Sequence, residues 1–418
     1  MGGDKHIPSV GVICEFNPFH SGHAYLLTRA RRAIGADGCV ICLMSGRAVQ
    51  RGELAVADPY LRARAALSGG ADAVLELPFP WSAATAQHFA TAGVDILTRL
   101  AVDVLAFGSE CGDPVPLARS AAAVTAPDFG AQYAALCGEG MGSAAAYAEA
   151  IRRLTEVDGP LPDGFPSSND LLGINYMAAI RTLHSPLRPT IIRRTGSGYR
   201  DTVLHEGEPP SATALRAVIR EAACDPIALE AILDDTMPPM AVQLLCEATR
   251  RGECPISTAI LPTLSHAFFR LADAATVEGT ADMGGGLAGH IIRAAKAAAT
   301  PSDFMDALHT KQYTDTRLRR AMLFALTRVT EEDLRARPAY TTLLAANARG
   351  CEYLRAYRRL TANDPSALPV ITKPASAPMG RQRSLAERLD ALFTMAYPRP
   401  QPSGEMMRRS PWVEKDGG

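Results

Sequence analysis

The stretch Val10-Gly-Val-Ile-Cys14-Glu-Phe-Asn-Pro-Phe-His20-Ser-Gly-His23-Ala-Tyr-Leu-Leu27 decides the fold. Its first five residues form a short apolar run of the kind that makes a buried strand, and helical spacing of apolar residues begins after His23. Between them lies a loop joining the carboxyl end of a strand to the start of a helix. Open α/β sheets bind ligands at that edge, and a helix amino terminus offers unpaired N–H groups and a positive dipole end to phosphate. His20 and His23, three residues apart across the first turn, can point to one side and donate hydrogen bonds to phosphate oxygens. Gly22 between them leaves room for a nucleotide against the backbone. Such a site suits nucleotidyl transfer, which needs charge neutralisation and in-line positioning more than a covalent nucleophile. The plain structural alternative is a pair of surface or helix-capping histidines.

Outward from this junction, the first two hundred residues alternate apolar runs with helical patterns, the signature of a parallel sheet covered by helices. Strands are expected at 10–14, 39–44, 73–76, 104–107 and 190–193, and helices at 23–34, 59–68, 83–100 and 168–182. After Ser211-Ala-Thr-Ala-Leu-Arg216 the strand-like runs fade into long Ala/Leu/Arg-rich stretches with few β-branched residues, which predict helices. The expected organisation is an α/β, Rossmann-like parallel-sheet domain over 1–222, a mostly helical domain over 223–396 and a flexible tail over 397–418. A Gly-rich break at 279–289 interrupts the helical part, and no repeat of solenoid length is present.

Composition narrows the class. The chain has 418 residues, 47% of them hydrophobic, enough for more than one core. Lys and Arg (43) nearly cancel Asp and Glu (44), so any pull toward nucleic acid or membrane must be local. The start lacks a secretory leader pattern, and no apolar run reaches the roughly 18 residues a membrane span needs, so a cytoplasmic protein is expected. The nine cysteines are scattered, and Cys39-Val-Ile-Cys42 has no second pair to complete a zinc site, so reduced core thiols are expected.

Further segments sit at strand ends. Met44-Ser-Gly-Arg-Ala-Val-Gln-Arg-Gly-Glu53 follows the second strand with Arg47 and Arg51, suited to phosphate or carboxylate; a solvated basic loop is the alternative. Gly108 in Phe107-Gly-Ser-Glu110 lets backbone approach a nucleotide, or makes a plain turn. Asn169 precedes an amphipathic helix, as a ligand or as a cap. Arg194 closes a strand, where an arginine can grip triphosphate or face solvent. Ser211, Thr213 and Arg216 open a helix, where the hydroxyls either cap it or, with the arginine, hold phosphate.

His20-Ser-Gly-His23 resembles the HxGH element of the HIGH superfamily of nucleotidyltransferases and class I aminoacyl-tRNA synthetases. Within it, the wider run and the segments starting at Met44, Phe107, Ser168, Arg193 and Thr310 are similar to those of the bacterial tRNA(Met) cytidine acetate ligase family, over nearly the whole chain. That resemblance implies ATP contacts at Ile13, Cys14, Glu15, Phe16, Asn17, Pro18, Phe19, His20, Ser21, Gly22, His23, Ala24, Tyr25 and Leu26, and at Gly108, Asn169, Arg194 and Thr195. It implies His20 and His23 as the catalytic pair, stabilising phosphate charge. It also likens Pro210-Ser-Ala-Thr-Ala-Leu-Arg216 to the superfamily's second signature, which holds the leaving pyrophosphate. Two positions depart from the family pattern. Asp58-Pro-Tyr60 stands where relatives have Asp-Lys-Trp, so the lysine's role is either missing or supplied by another basic residue such as Arg62 or Arg64, and Arg47 replaces a smaller polar residue or histidine.

The implied reaction joins acetate and ATP into acetyl-adenylate, with Mg2+ assisting, and passes the acetyl group to N4 of the wobble cytidine of elongator tRNA(Met). From 311 to 388 fifteen Lys/Arg face seven Asp/Glu, with Tyr313, Tyr340, Tyr353 and Tyr357 interleaved, a composition able to grip RNA or simply a solvated helical surface. The match around Thr310 favours RNA, with Lys311, Arg317, Arg319 and Arg320 as contacts. Two rivals stay open: a small-molecule adenylyltransferase or cytidylyltransferase, which would not need the second half, and a catalytically silent RNA-binding protein, which would not need the histidines.

Overall fold

A computed structural model describes residues 6–157, 159–194, 211–222, 225–234, 236–310 and 312–414. The first half runs β1 (Ser9–Cys14), α1 (Ser21–Ile34), β2 (Cys39–Ser45), a small hairpin of β3 (Ala48–Val49) and β4 (Glu53–Leu54), α2 (Pro59–Ser68), β5 (Ala73–Leu77), α3 (Ala86–Arg99) and β6 (Val104–Ser109). Helices α4 (Pro114–Val124), α5 (Phe129–Gly138), α6 (Ser143–Glu156) and α7 (Ser168–Thr182) then lead to β7 (Arg188–Arg193). Strands β5, β2, β1, β6 and β7 lie side by side in that order, all parallel. Chain order runs outward from β1 in one direction and then resumes on its other side at β6. The switch point of the sheet therefore falls between β1 and β6, where a doubly wound sheet opens its ligand crevice.

The central strands are apolar except for Ser9 and Ser45 at their ends because both faces are covered: every residue of β1 and β2 is buried. Val10, Val12 and Cys14 pack into one core with Val40, Cys42 and Met44, while Ile13 joins Ile41 and Leu43 on the opposite face, the two-residue alternation of a pleated strand. The cysteines at 14, 39 and 42 are buried free thiols. Helix α3 lies so close to β1 that a Cβ at Gly11 would sit 2.7 Å from Leu97 Cδ1.

The second half is mostly helical, with α8 (Ala212–Glu221), α9 (Pro226–Leu233), α10 (Pro239–Arg251), α11 (Ile260–Leu271), α12 (Leu287–Ala297), α13 (Pro301–Leu308), α14 (Asp315–Thr327) and α15 (Glu331–Arg335). It has its own core around Phe269, Phe304 and Leu318. The chain then returns to the sheet through β8 (Thr341–Ala346), α16 (Ala348–Leu360), β9 (Val370–Ile371), α17 (Arg381–Met395) and β10 (Trp412–Val413). β8 pairs antiparallel with β5, and β9 and β10 pair with β8. The sheet thus draws on residues either side of 222, which the expected split at that position did not foresee. Thr-Thr-Leu-Leu-Ala-Ala at 341–346 has little strand character of its own, and its conformation comes from tertiary pairing.

The expected loose tail from 397 is likewise corrected, because residues up to 414 are packed back. Tyr397 donates its hydroxyl to Asp58 Oδ2 at 3.0 Å, Arg409 Nη1 lies 3.3 Å from the same oxygen, and Gly404 N donates to Asp390 Oδ2 at 2.9 Å. Asp58 Oδ1 meanwhile caps α2 through Tyr60 N at 2.8 Å. Replacing Asp58 with alanine removes a cap and the direct ion-pair partner of Arg409, an expected loss of about 3 kcal/mol in a denaturant titration. A loss below about 1 kcal/mol would show that the terminal segment contributes little.

Candidate nucleotide site

The loop between β1 and α1 is held from below by main-chain and side-chain bonds. Phe16 takes a positive φ of 44°, and the Asn17–Pro18 peptide is cis. Phe16 and Phe19 are buried edge to face, 5.0 Å between ring centres. Asn17 Oδ1 accepts from Val56 N at 2.8 Å and Asn17 O from Arg216 Nη1 at 2.8 Å. Glu15 Oε1 accepts from Gln50 N at 2.8 Å. Burial raises the Glu15 carboxyl, against the Gln50 N–H and the charges of Arg216, Arg51 and Arg62. Within the stretch implied to touch ATP, Glu15, Phe16, Asn17 and Phe19 therefore anchor the loop with their side chains, while Ser21 and Tyr25 lie exposed on α1.

His20 is the cap of α1. Its Nδ1 accepts from Gly22 N at 3.1 Å, and His23 Nδ1 accepts from His20 N at 3.3 Å, a capping box built from two imidazoles. Gly22 makes room for that ring, since a Cβ there would sit 3.0 Å from His20 Cε1. The ring centres are 3.7 Å apart. With both Nδ1 atoms accepting, the ring proton of each resides on Nε2. Burial, reinforced by Arg194 and Arg216, pushes His20 down to about 3. Burial, His20 and Arg194 push His23 well down as well. The capping alternative and the phosphate site are thus one arrangement: capping fixes two neutral rings as Nε2–H donors, with guanidinium charge beside them.

From the far side of the switch point come β6, α7 and β7. Arg194 N donates to Ser109 O at 2.9 Å, and a Cβ at Gly108 would lie 3.2 Å from Arg194 Cγ, so this glycine clears space for the arginine stem. Arg194 Nε is 3.6 Å from Glu110 Oε1, which accepts from Asn169 Nδ2 at 2.5 Å. Ser211 caps α8 by accepting from Ala214 N at 3.0 Å, so its hydroxyl has the structural role weighed above. Thr213 Oγ1 accepts from Arg216 Nη2 at 3.2 Å. His20, His23, Gly108, Asn169, Arg194 and Arg216 thus gather at one edge of the sheet. Arg51 stands beside Glu15, and Thr195 and Lys311 lie outside the described residues.

Three expectations are corrected. Arg62 does not stand in for the missing lysine: it is buried and donates to the carbonyls of Ala57, Glu15, Ser45 and Gly46, while Arg64 lies over the Trp412 ring. Arg47 is buried 3.3 Å from Asp390. Of the residues expected to contact RNA, Arg320 pairs with Asp282 at 2.6 Å and Arg319 with Glu53, and Arg317 donates to the Gly284 carbonyl at 2.7 Å. Tyr313, Tyr340, Tyr353 and Tyr357 are core residues, so no base stacks on them. Glu110 and Asp170 carry contacts that motif reading missed; hydroxyl and amide donors around a buried aspartate leave no trace in spacing. Among the described residues no three His, Cys, Asp or Glu side chains group as a metal cage, and no helix is long and apolar enough to cross a membrane.

Fold, switch point and paired imidazoles define a nucleotidyl transferase, and a sequence model described as HIGH Nucleotidyl Transferase matches residues 7–407. Similar proteins include the tRNA(Met) cytidine acetate ligases of Lysinibacillus sphaericus, 32% identical across 88% of this chain and 90% of that one, and of Syntrophotalea carbinolica, 34% identical across 84% and 82%. Among solved structures, Thermotoga maritima TmcAL superposes with a TM-score of 0.86 in its apo form (27% identity, 97% of this chain, 99% of that one). Its form bound with alpha-thio ATP gives 0.83, with 26% identity and the same coverage. The chain belongs to the tRNA(Met) cytidine acetate ligase family.

Proposed function

We infer that the protein is an ATP-dependent ligase that activates acetate as acetyl-adenylate and transfers the acetyl group to N4 of the wobble cytidine of elongator tRNA(Met). The observation that carries this is the pair of neutral Nε2–H imidazoles at the start of α1, beside Arg194 and Arg216 at the sheet's switch point. An acetate oxygen attacks the α-phosphorus, the bond to the bridging oxygen breaks, and pyrophosphate leaves. The cytidine amine then attacks the acetyl carbon, and AMP departs as the amine loses a proton. His20 and His23 donate to oxygens that gain charge without giving up a proton, and water exclusion strengthens those bonds. Arg194 and Arg216 grip the triphosphate, and α8 offers its amino terminus to the leaving group.

Mg2+ is expected to reach the site on the triphosphate, since this ion is commonly held by phosphates and waters. The bond from Asn17 O to Arg216 ties the histidine loop to α8, the element expected to hold pyrophosphate. The logarithm of the RNA-binding constant is expected to fall linearly with the logarithm of salt concentration, as counterion release requires.

Exchange of labelled pyrophosphate into ATP tests the first step. It is expected to depend on acetate, and exchange supported by a nucleotide-sugar or cofactor precursor in place of acetate would favour a small-molecule transferase. A folded protein with no exchange would match the silent RNA binder.

A further inference from the structure

Glu110, one residue beyond β6, is where two side chains expected to face ATP are tied together. Its Oε1 accepts from Asn169 Nδ2 at 2.5 Å and lies 3.6 Å from Arg194 Nε; its Oε2 is in contact with Ser167 Oγ. Beneath it, the buried Asp170 fixes the platform. Asp170 Oδ1 accepts from Ser109 Oγ at 2.6 Å and Cys111 N at 3.2 Å, and Oδ2 from Ser167 N at 3.0 Å and Ser167 Oγ at 2.7 Å. Burial pulls the Asp170 carboxyl up, but the hydroxyls of Ser109 and Ser167 and the two N–H groups hold it below the usual carboxylate value.

A carboxylate only accepts, whereas an asparagine amide donates from one end and accepts at the other. Glu110 therefore selects the amide orientation of Asn169: Nδ2 turns to the carboxylate, and Oδ1 is left to accept. Without a partner of fixed polarity, the amide could turn over at little cost and present N–H groups instead.

We propose that Glu110 is a positioning residue that locks the Asn169 amide, so that the nucleotide site selects a nucleoside offering a hydrogen-bond donor to Asn169 Oδ1. The inference rests on the ATP reading above. Two groups of ATP have that chemistry, the 6-amino group of adenine and the ribose hydroxyls. A site built to bond a donor rejects an analogue lacking it far more strongly than a merely shape-matched pocket does.

The test compares ATP with ITP, which has a 6-oxo group, and with 2′-deoxy-ATP and 3′-deoxy-ATP, by calorimetry and by kcat/KM in pyrophosphate exchange. Wild type and the variants Glu110→Gln and Glu110→Ala are used. Glutamine donates as well as accepts, so Asn169 can bond it in either orientation. The expected result is that one preference, for ATP over ITP or for ATP over a deoxy analogue, falls about tenfold or more in Glu110→Gln while the other is retained. Which one falls identifies the donor. Equal weakening of all four nucleotides, or unchanged ratios in both variants, would overturn the proposal and leave Glu110 a structural residue. If wild type binds none of the nucleotides, the ATP reading fails, and the inference falls with it for that separate reason.

Discussion

Replacing His20 and His23 together with alanine is expected to lower kcat/KM for acetate-dependent pyrophosphate exchange by about a thousandfold or more, since removing a single preorganised donor to a developing oxyanion typically costs 10²–10³. The two rings act as a unit, sharing a capping box and a ring contact, so the double replacement should cost less than the product of the singles. His20→Asn separates their two tasks. Asparagine is among the best helix caps, so α1 should keep its stability to within about 0.5 kcal/mol, while the Nε2–H donor and its contribution to the rate disappear. A His20→Asn enzyme with wild-type exchange would show that the ring only caps the helix.

The charge state of these rings has its own signature. The His20 value in the folded protein, about 3, lies below its ordinary 6.5, so between those two values the unfolded chain binds more protons. The stability from a neutral His20 is complete above about 6.5 and is lost as pH falls from there toward about 3. Ring nitrogen resonances of His20 and His23 in the folded protein should not titrate between pH 8 and about 5, and a transition near the ordinary value would contradict neutral donors.

Arg62 is expected to be the least replaceable arginine of the α/β half. It is fully buried, and it donates to Ala57 O at 3.1 Å from Nε, to Glu15 O at 2.5 Å from Nη1, and to Ser45 O at 3.1 Å and Gly46 O from Nη2. These carbonyls belong to the exits of β1 and β2 and to the residue before the Asp58 cap, so one guanidinium brackets the loops that build the site. Burial lowers its pKa to about 10, with Asp58 and Glu15 as the main opposing charges. Arg62→Ala strands those carbonyls away from water, and Arg62→Lys offers a compact ammonium that cannot span the fork. Each should cost about 3–5 kcal/mol in a denaturant titration and weaken ATP binding in whatever fraction stays folded. Unaltered stability in Arg62→Lys would contradict this role.

Much of the fold could be read in the sequence because its central strands β1 and β2 are buried on both faces and are apolar but for a terminal serine. The expected strands at 10–14, 39–44 and 73–76 differ from the observed ones by a residue at an end, and helices Pro59–Ser68 and Ser168–Thr182 carry a proline first turn and a capping box that mark their starts. β8 escaped notice because its Ala and Leu residues prefer helix locally and only pairing with β5 makes them a strand. In the site, the histidines were legible from their spacing and position. The loop around them was not, since Asn17 and Glu15 look equally like ligands whether they face a nucleotide or, as here, the N–H groups of Val56 and Gln50. Nor could charge counting show that Arg319 and Arg320 meet Glu53 and Asp282, which are remote in sequence.

The whole reaction is read at its product by mass spectrometry of unmodified elongator tRNA(Met) after incubation with the protein, ATP and carbon-13-labelled acetate. The expected result is one labelled acetyl group on the wobble cytidine, absent without ATP and absent with the His20→Ala, His23→Ala protein. ATP-dependent consumption of acetate with no label on that nucleotide would contradict it.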